Sequence, residues 1–251
     1  MCGITGIFSS EGSEGDFEEL SGVIDRMTSA LQPRGPDACG KFMRAPVALG
    51  HRRLSILDIS NSGAQPMCLG KPGPVISYNG EVYNFQELRR NLESIGHRDW
   101  RGQSDTEVIL HAYSEWGLEG LKRLEGIFAL SLWDPFQERL VLMRDRLGVK
   151  PLFYANSKHG LAFGSEIKAV LEAGVLDTTI NEQAFSEYLW FGNTHGNRTF
   201  YRGISALEPG HWLIIEKGNQ RLEPWWQIEE WLAKPISLLN QEEGAEKLRS
   251  A

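Results

Sequence analysis

An apolar run that begins at the second residue restricts this fold more than any other stretch of the chain. Cys2-Gly3-Ile4-Thr5-Gly6-Ile7-Phe8 has the composition of a strand buried on both faces, with glycines where other backbone comes close. A chain whose core strand starts there carries its first residues into the body of the protein. Cysteine is small enough for the initiator methionine to be removed, so Cys2 is expected to present a thiol and a free α-amine on one residue. These groups titrate near ~8.5 and ~7.7–8.0, so at neutral pH the amine accepts the thiol proton, directly or through one water, at little cost. No separate histidine is then needed to make the sulfur nucleophilic. By itself, a cysteine at position 2 still reads first as an ordinary second residue; the rest of the chain has to change that.

With 251 residues, 41% of them hydrophobic, the chain can bury a sizeable core as one large domain or one domain plus a fragment. A formal charge of −7, a pI near 5.5 and no Lys/Arg-rich block argue against nucleic acid and anionic lipid as partners. No membrane span is expected, because apolar runs such as residues 47–50 and 213–215 fall far short of the roughly 20 residues required. The start lacks a basic segment and a long apolar stretch before its acidic region at residues 11–19, so it does not read as a signal peptide. Three cysteines, at 2, 39 and 68, form no CxxC pair and no zinc-ligand spacing. A reducing, cytoplasmic setting follows, with Cys39 and Cys68 packed as small apolar residues.

Phe17, Leu20, Val23, Ile24, Met27 and Leu31 recur at three- and four-residue steps, which predicts an amphipathic helix ended by Pro33, with Arg34-Gly35-Pro36-Asp37 as a turn. Residues 75–77 read as a strand delivering Asn79 to a loop, and Asn84 with Glu87 as the capped start of a helix that ends at Gly96. Ser104-Asp105-Thr106-Glu107 is a capping box, so Asp105 falls in a helix's first turn, ahead of the face formed by Val108, Ile109, Ala112, Tyr113 and Trp116. Residues 124–133 and 139–144 form one predicted hairpin, and 152–155 with 161–164 a second. The pattern is that of a layered α+β protein with a largely antiparallel sheet core. Beyond about residue 225 it weakens: Trp225, Trp226 and Trp231 crowd together, and residues 241–250 look like the opening of a polar helix.

The opening run is joined, in order, by Arg34-Gly35-Pro36-Asp37, His51-Arg52-Arg53-Leu54-Ser55-Ile56-Leu57-Asp58, Tyr78-Asn79-Gly80-Glu81-Val82-Tyr83-Asn84, Ser104-Asp105-Thr106-Glu107, Arg144-Asp145-Arg146-Leu147-Gly148-Val149-Lys150-Pro151-Leu152 and Phe163-Gly164-Ser165-Glu166-Ile167-Lys168-Ala169. This series resembles the class II glutamine amidotransferase domain of glutamine-hydrolysing asparagine synthetases, by motif over residues 2–172 and onward to about 215. The Arg-Asp-Arg-Leu-Gly and Gly-Ser-Glu-Ile-Lys segments favour that branch over the amidotransferase domains of glucosamine-phosphate synthase and amidophosphoribosyltransferase. The resemblance implies an N-terminal-nucleophile hydrolase fold, a four-layer αββα sandwich with antiparallel sheets. It places the amidotransferase domain at residues 2–215, and at 216–251 a linker and the start of a C-terminal synthetase domain missing from this sequence.

It also implies roles. Cys2 attacks the side-chain amide of L-glutamine, its own amine shuttling the proton, and a thioester forms as ammonia departs. The Asn79 side-chain amide and the Gly80 N–H stabilise the oxyanion. The substrate carboxylate suits the two-pronged Arg53, its ammonium suits Asp105 and Glu81, and backbone of Leu54, Ser55, Ile56 and Leu57 completes the pocket. Taken singly, Asn79-Gly80 is a turn, Arg53 a surface cation and Asp105 a charge at a helix start; it is jointly that they make a site. Arg34 and Asp37 read as a buttress beside it.

The six histidines, His51, His97 and His211 among them, have no metal-like spacing, so no metal or cofactor is expected in this domain. ATP and Mg2+ belong to the synthetase domain, which adenylates aspartate through a Ser-Gly-Gly-x-Asp-Ser loop; Ser21-Gly22 and Ser62-Gly63 lack the rest of that pattern. L-glutamine, the synthetase domain with its aspartate and ATP, and a second copy in a homodimer are the expected partners. Trp225, Trp226 and Trp231 either meet that domain or cover this one's own core. The competing reading is a catalytically silent domain of the same fold that binds glutamine or a partner protein.

Overall fold

The opening run forms β1 (Gly3–Phe8), which takes a central position between β3 (Val47–Arg53) and β9 (Gly160–Gly164). The structure is a computed structural model and describes residues 1–9, 16–54, 63–70, 72–174, 176–232, 245–246 and 249. With β2 (Ala38–Arg44), β8 (Phe153–Ser157) and β10 (Ser205–Ala206), these strands make a sheet of order β10-β8-β9-β1-β3-β2. A second sheet is built from β4 (Met67–Cys68), β5 (Val75–Val82), β6 (Gly126–Asp134), β7 (Arg139–Arg144), β11 (His211–Glu216) and β12 (Asn219–Pro224), in the order β12-β11-β7-β6-β5-β4. Every strand pairing within them is antiparallel.

The sheets stack face to face because their middle strands are apolar on both sides. In β7 and β11, Leu140, Leu142, Leu213 and Ile215 pack between the sheets against Ile4, Leu49 and Phe163. The alternate residues Val141, Met143, Trp212 and Ile214 pack outward, against α2 (Phe85–Ser94), α3 (Asp105–Trp116) and α4 (Leu118–Lys122). On the other side, Ile7, Ala48 and Ala162 meet Leu20, Val23, Ile24 and Met27 of α1 (Asp16–Ala30), together with Val170 of α5 (Ile167–Leu171). Each such fully buried aliphatic side chain contributes about 1.5–3 kcal/mol relative to exposure. The result is the expected αββα sandwich. None of the described helices is long and apolar enough to cross a membrane.

Three local expectations change. Asn79 and Gly80 do not leave the strand for a loop: β5 continues through them, with Asn79 opposite Ala129 and Gly80 opposite Phe128 on β6. The Asn-Gly turn signal yields to sheet pairing, and glycine is needed because a Cβ at position 80 would sit 2.3 Å from the Ile127 carbonyl oxygen. Asn84 starts α2 without a side-chain cap; its amide instead donates to the Arg123 carbonyl and accepts from the Glu125 N–H, tying α2 to the start of β6. The second sheet also runs past residue 215, through the β11–β12 hairpin. β12 is exposed along nearly all its length, so Asn-Gln-Arg-Leu-Glu-Pro shows no apolar alternation to announce a strand.

Trp225 belongs to this domain's own core: it is 8% exposed, lies near the Phe128 ring and donates its indole N–H to the Arg144 carbonyl. Trp226 packs beside it, with Arg146 over both rings, while the side chain of Trp231 lies outside the described residues. Residues 241–250 fall mostly outside them too. Exposed aromatics cluster on α6 (Glu182–Phe191), where Ala184 is buried but Phe185, Tyr188, Leu189, Trp190 and Phe191 are exposed, Trp190 by 83%.

Candidate active site

β1 starts, and β3 and β5 end, at the same end of the sandwich, and the predicted site residues gather there. Strand alternation puts Arg53 on the inter-sheet face of β3 with Val47 and Leu49, and Asn79 and Glu81 on the facing side of β5 with Val75. The Ser77 hydroxyl donates to the Gly50 carbonyl, and His51 Nε2 lies 3.1 Å from the Tyr78 carbonyl, so the two strands are bonded directly across the core. Burial lowers the His51 pKa to about 4. The ring is therefore neutral near pH 7 and carries its proton on Nε2, the nitrogen facing the carbonyl oxygen.

Cys2 is held by its backbone and left loose at its sulfur. Arg34 Nε donates to the Cys2 carbonyl at 2.9 Å, and the same guanidinium pairs with Glu166 at 3.1 Å. The next residues are pinned by Ser165 Oγ, which accepts from the Ile4 N–H, and by the Thr5 hydroxyl, which donates to the Phe163 carbonyl. Cys2 Sγ itself makes two long bonds, both to the Leu54 backbone: it accepts from the N–H at 3.4 Å and donates to the carbonyl at 3.7 Å. Two sequence motifs thereby acquire a reason. Arg34-Gly35-Pro36-Asp37 supports Cys2 from below, with Gly35 pressed on the Arg52 backbone and the Asp37 N–H donating to the Arg53 carbonyl. Gly164-Ser165-Glu166 fixes both the strand and Arg34.

On β5, the N–H groups of Tyr78 and Val82 point away from β6, one bonded to Gln65 Oε1 and the other to Asp105 Oδ2. Strand periodicity sends the Gly80 N–H, midway between them, to the same side and away from the β6 ladder. The neighbouring Asn79 is 2% exposed, and its side-chain Nδ2 is a buried donor with no hydrogen-bond partner. Leaving such a group unmatched costs about 1–3 kcal/mol. Two donors thus lie adjacent, a disposition suited to an oxyanion.

Asp105 opens α3 behind the Ser104 cap, which accepts from the Glu107 N–H. Glu107 does not complete the capping box; its carboxylate turns back to the N–H groups of Arg101 and Gly102. Asp105 Oδ2 also accepts from the Tyr78 hydroxyl at 2.6 Å, so this carboxylate ties helix to strand as well as facing the site. Burial raises the Asp105 pKa, against the hydrogen bonds from Tyr78, Val82 and Thr106. Glu81 is raised by burial and by the like charge of Asp105, and Lys150 opposes that rise. The Tyr78 phenol is pushed well up by burial, then by Asp105, with Glu81 and Cys2 adding to the effect.

Cys2, Arg53, Leu54, Asn79, Gly80, Glu81 and Asp105 are thus at one end of the sandwich, whereas Ser55, Ile56 and Leu57 lie outside the described residues. Sequence reasoning did not single out Ser165, Glu166, Tyr78 or Lys150. Ser165 and Glu166 act across more than 100 residues of chain, and no local pattern reveals such contacts. Among the described residues, no group of three or more His, Cys, Asp and Glu side chains is placed to hold a metal ion.

Residues 1–226 match the family described as "Glutamine amidotransferase domain". Asparagine synthetase [glutamine-hydrolyzing] 3 of Bacillus subtilis is 38% identical over 236 residues, 91% of this chain and 37% of its own length. Amidase chry2 of Gibberella zeae is 32% identical over 239 residues, again 91% of this chain and 35% of that protein. This chain therefore spans about a third of the length of these relatives. Among solved structures, the glutamine phosphoribosylpyrophosphate amidotransferase from B. subtilis superposes with a TM-score of 0.64 at 20% identity, covering 90% of this chain and 50% of that one. That likeness gives the fold alone, the sandwich of two antiparallel sheets between helices. The match over residues 1–226, on a fold of two paired antiparallel sheets, places this chain in the class II glutamine amidotransferase domain family.

Proposed function

We propose that this chain hydrolyses L-glutamine to glutamate and ammonia, with Cys2 as nucleophile. The observation that carries this reading is the placement of Cys2 at the head of a central strand, its carbonyl held by Arg34 and its sulfur held only by long bonds to the Leu54 backbone. After Met1 is removed, the α-amine takes the thiol proton as sulfur adds to the amide carbon. The unpartnered Asn79 amide and the outward Gly80 N–H receive the oxyanion. The amine then protonates the departing nitrogen, the C–N bond breaks and a thioester remains. Water, deprotonated by the same amine, cleaves the thioester and frees glutamate. Arg53 takes the substrate carboxylate, and Glu81 and Asp105 its ammonium; backbone of residues 54–57 lines the pocket.

In this reading the ammonia passes to an ATP-activated carboxylate, aspartate, in a synthetase domain that uses ATP and Mg2+ and follows an amidotransferase unit ending near residue 226. The protein works in the reducing cytoplasm, which keeps the Cys2 thiol available, and assembles as a homodimer. The length of the curated relatives beyond the matched region supports such a domain, as does the α6 face, whose row of exposed aromatics requires an apolar cover.

The test is a coupled assay of glutamate and ammonia release. The wild-type chain is expected to release both in equal amounts. Asn79→Ala is expected to lose about 10²–10³-fold in kcat, roughly 2.7–4 kcal/mol, with little change in KM. A wild-type chain that releases no glutamate contradicts the proposal, and an Asn79→Ala variant of undiminished kcat contradicts the oxyanion role.

A further inference from the structure

Tyr78 touches none of the reacting groups, because strand alternation turns Asn79 and Glu81 to the inter-sheet side and Tyr78 outward, beneath α2 and α3. Its ring is 3% exposed, in the cluster that holds Val82, Leu88, Val108 and Ile109. Its hydroxyl donates to Asp105 Oδ2 at 2.6 Å, a length in the range of a charge-assisted bond. The same oxygen accepts from the Val82 N–H at 3.0 Å. The Tyr78 N–H in turn donates to Gln65 Oε1, and Gln65 Nε2 donates to Thr106 Oγ1. The first turn of α3 is thus fastened to β5 at Asp105 and at Thr106, and Tyr78 takes part in both ties.

β4 pairs with β5 only at Val75 and Ile76. Farther along that edge, among the described residues, β5 is met by the side chains of Gln65 and Asp105. The Gly80 N–H lies between these two, and two residues of strand, about 6.6–7 Å, separate it from the Val82 N–H that Asp105 covers. That spacing is comparable to the reach of an extended glutamine from its amide oxygen to its α-nitrogen. Asp105 is useful to an ammonium only as a carboxylate, and burial favours its neutral form; the hydrogen bond from Tyr78 opposes this first, then those from Val82 and Thr106. Of the other acids nearby, Glu81 on β5 shares this end of the sandwich, and Glu107 on α3 is turned to the N–H groups of Arg101 and Gly102.

We infer that Tyr78 is a positioning residue for substrate recognition: its hydroxyl holds the Asp105 carboxylate at the open edge of β5, in line with Gly80, so that an amino-acid amide is gripped at both ends. This rests on the glutaminase reading above. Phenylalanine at position 78 keeps the ring in its cluster and removes only the hydroxyl. Asp105 then retains Val82 but loses the bond that most favours its ionised form, so its protonation moves to higher pH. Substrate binding weakens from the acid side first. The effect needs the carboxylate, since without Asp105 the hydroxyl has no charge to hold.

Glutaminase kinetics of Tyr78→Phe, Asp105→Asn and the double variant across pH 5–9 test this. Tyr78→Phe is expected to raise KM for glutamine about tenfold at pH 6, leave kcat within about twofold at pH 8, and move the acid limb of kcat/KM up by about one pH unit. Asp105→Asn is expected to raise KM further, and Tyr78→Phe added to it to change KM by less than about twofold. A Tyr78→Phe variant with wild-type KM and an unmoved acid limb overturns the inference. So does one whose kcat falls equally at every pH, and so do effects that multiply in the double variant. Any of these alongside wild-type turnover overturns this inference alone; absent wild-type turnover overturns the glutaminase reading and this inference with it.

Discussion

Replacing Cys2 by alanine is expected to abolish ammonia release from glutamine and to leave the circular dichroism spectrum unchanged. The structure separates the two effects because every strong bond at the chain's start is made by atoms that alanine retains. Arg34 holds the carbonyl of residue 2, Ser165 holds the N–H of Ile4, and the Thr5 hydroxyl holds the strand to Phe163. The atom that is lost makes only two long bonds to the Leu54 backbone, at 3.4 and 3.7 Å. Alanine is also small, so removal of Met1 proceeds and the α-amine remains in place. The expected loss is on the order of 10⁴-fold or more in kcat, because amine and oxyanion donors without a nucleophile retain little of the reaction. Turnover within tenfold of wild type rules out sulfur as the attacking atom.

The second large effect is on stability. Asp145→Ala removes the acceptor for four backbone N–H groups, those of Phe128, Leu147, Val149 and Lys150. Each donor left dry costs about 1–3 kcal/mol, but the exposed turn at Leu147 and Val149 relaxes toward water, so a net loss of about 3–5 kcal/mol is expected. That is a large part of the roughly 5–15 kcal/mol that holds a domain folded, and it lowers the melting midpoint by roughly 10 °C. Asp145→Asn keeps the volume and one carbonyl oxygen and is expected to fall between wild type and alanine. Thermal and urea unfolding measure both. An unchanged midpoint in Asp145→Ala means that the loop is not held in the way the hydrogen bonds indicate.

How far the amino-acid pattern reaches can be followed element by element. α1 and α3 are legible because their apolar residues recur at helical spacing and Ser104 supplies a cap. β1 is legible because a strand buried on both faces needs no alternation. β2 and β12 leave no such mark: each lies at a sheet edge with mostly exposed side chains, so sheet pairing alone makes them strands. Asn79-Gly80 shows the opposite failure, a strong local turn signal overruled by eight paired residues between β5 and β6.

The candidate site divides in the same manner. Cys2 carries thiol and amine on one residue and needs no distant partner, yet by itself it reads as an ordinary second residue until the later motifs join it. Arg53, Asn79, Glu81 and Asp105 are ordinary in isolation and gain meaning through the order of motifs around them. Arg34 reads as a buttress from the turn it opens, but its bonds to the Cys2 carbonyl and to Glu166 join positions 32 and 132 residues away. Periodicity and propensity carry no information over that separation. The influence of Lys150 on Glu81 likewise exists only once two sheets and a loop have been brought to one end of the sandwich.

The central claim, that sulfur and base belong to one residue at the start of the processed chain, is tested most directly by intact-mass analysis before and after treatment with a glutamine-mimicking electrophile, followed by peptide mapping. Cys39, expected to pack as a small apolar residue, is instead exposed at the sheet edge, and Cys68 is partly so, which makes both internal controls for indiscriminate thiol reactivity. The expected result is a mass lower by one methionine, one adduct per chain, and that adduct on Cys2 alone. A retained Met1, or an adduct on Cys39 or Cys68 with Cys2 unlabelled, contradicts it.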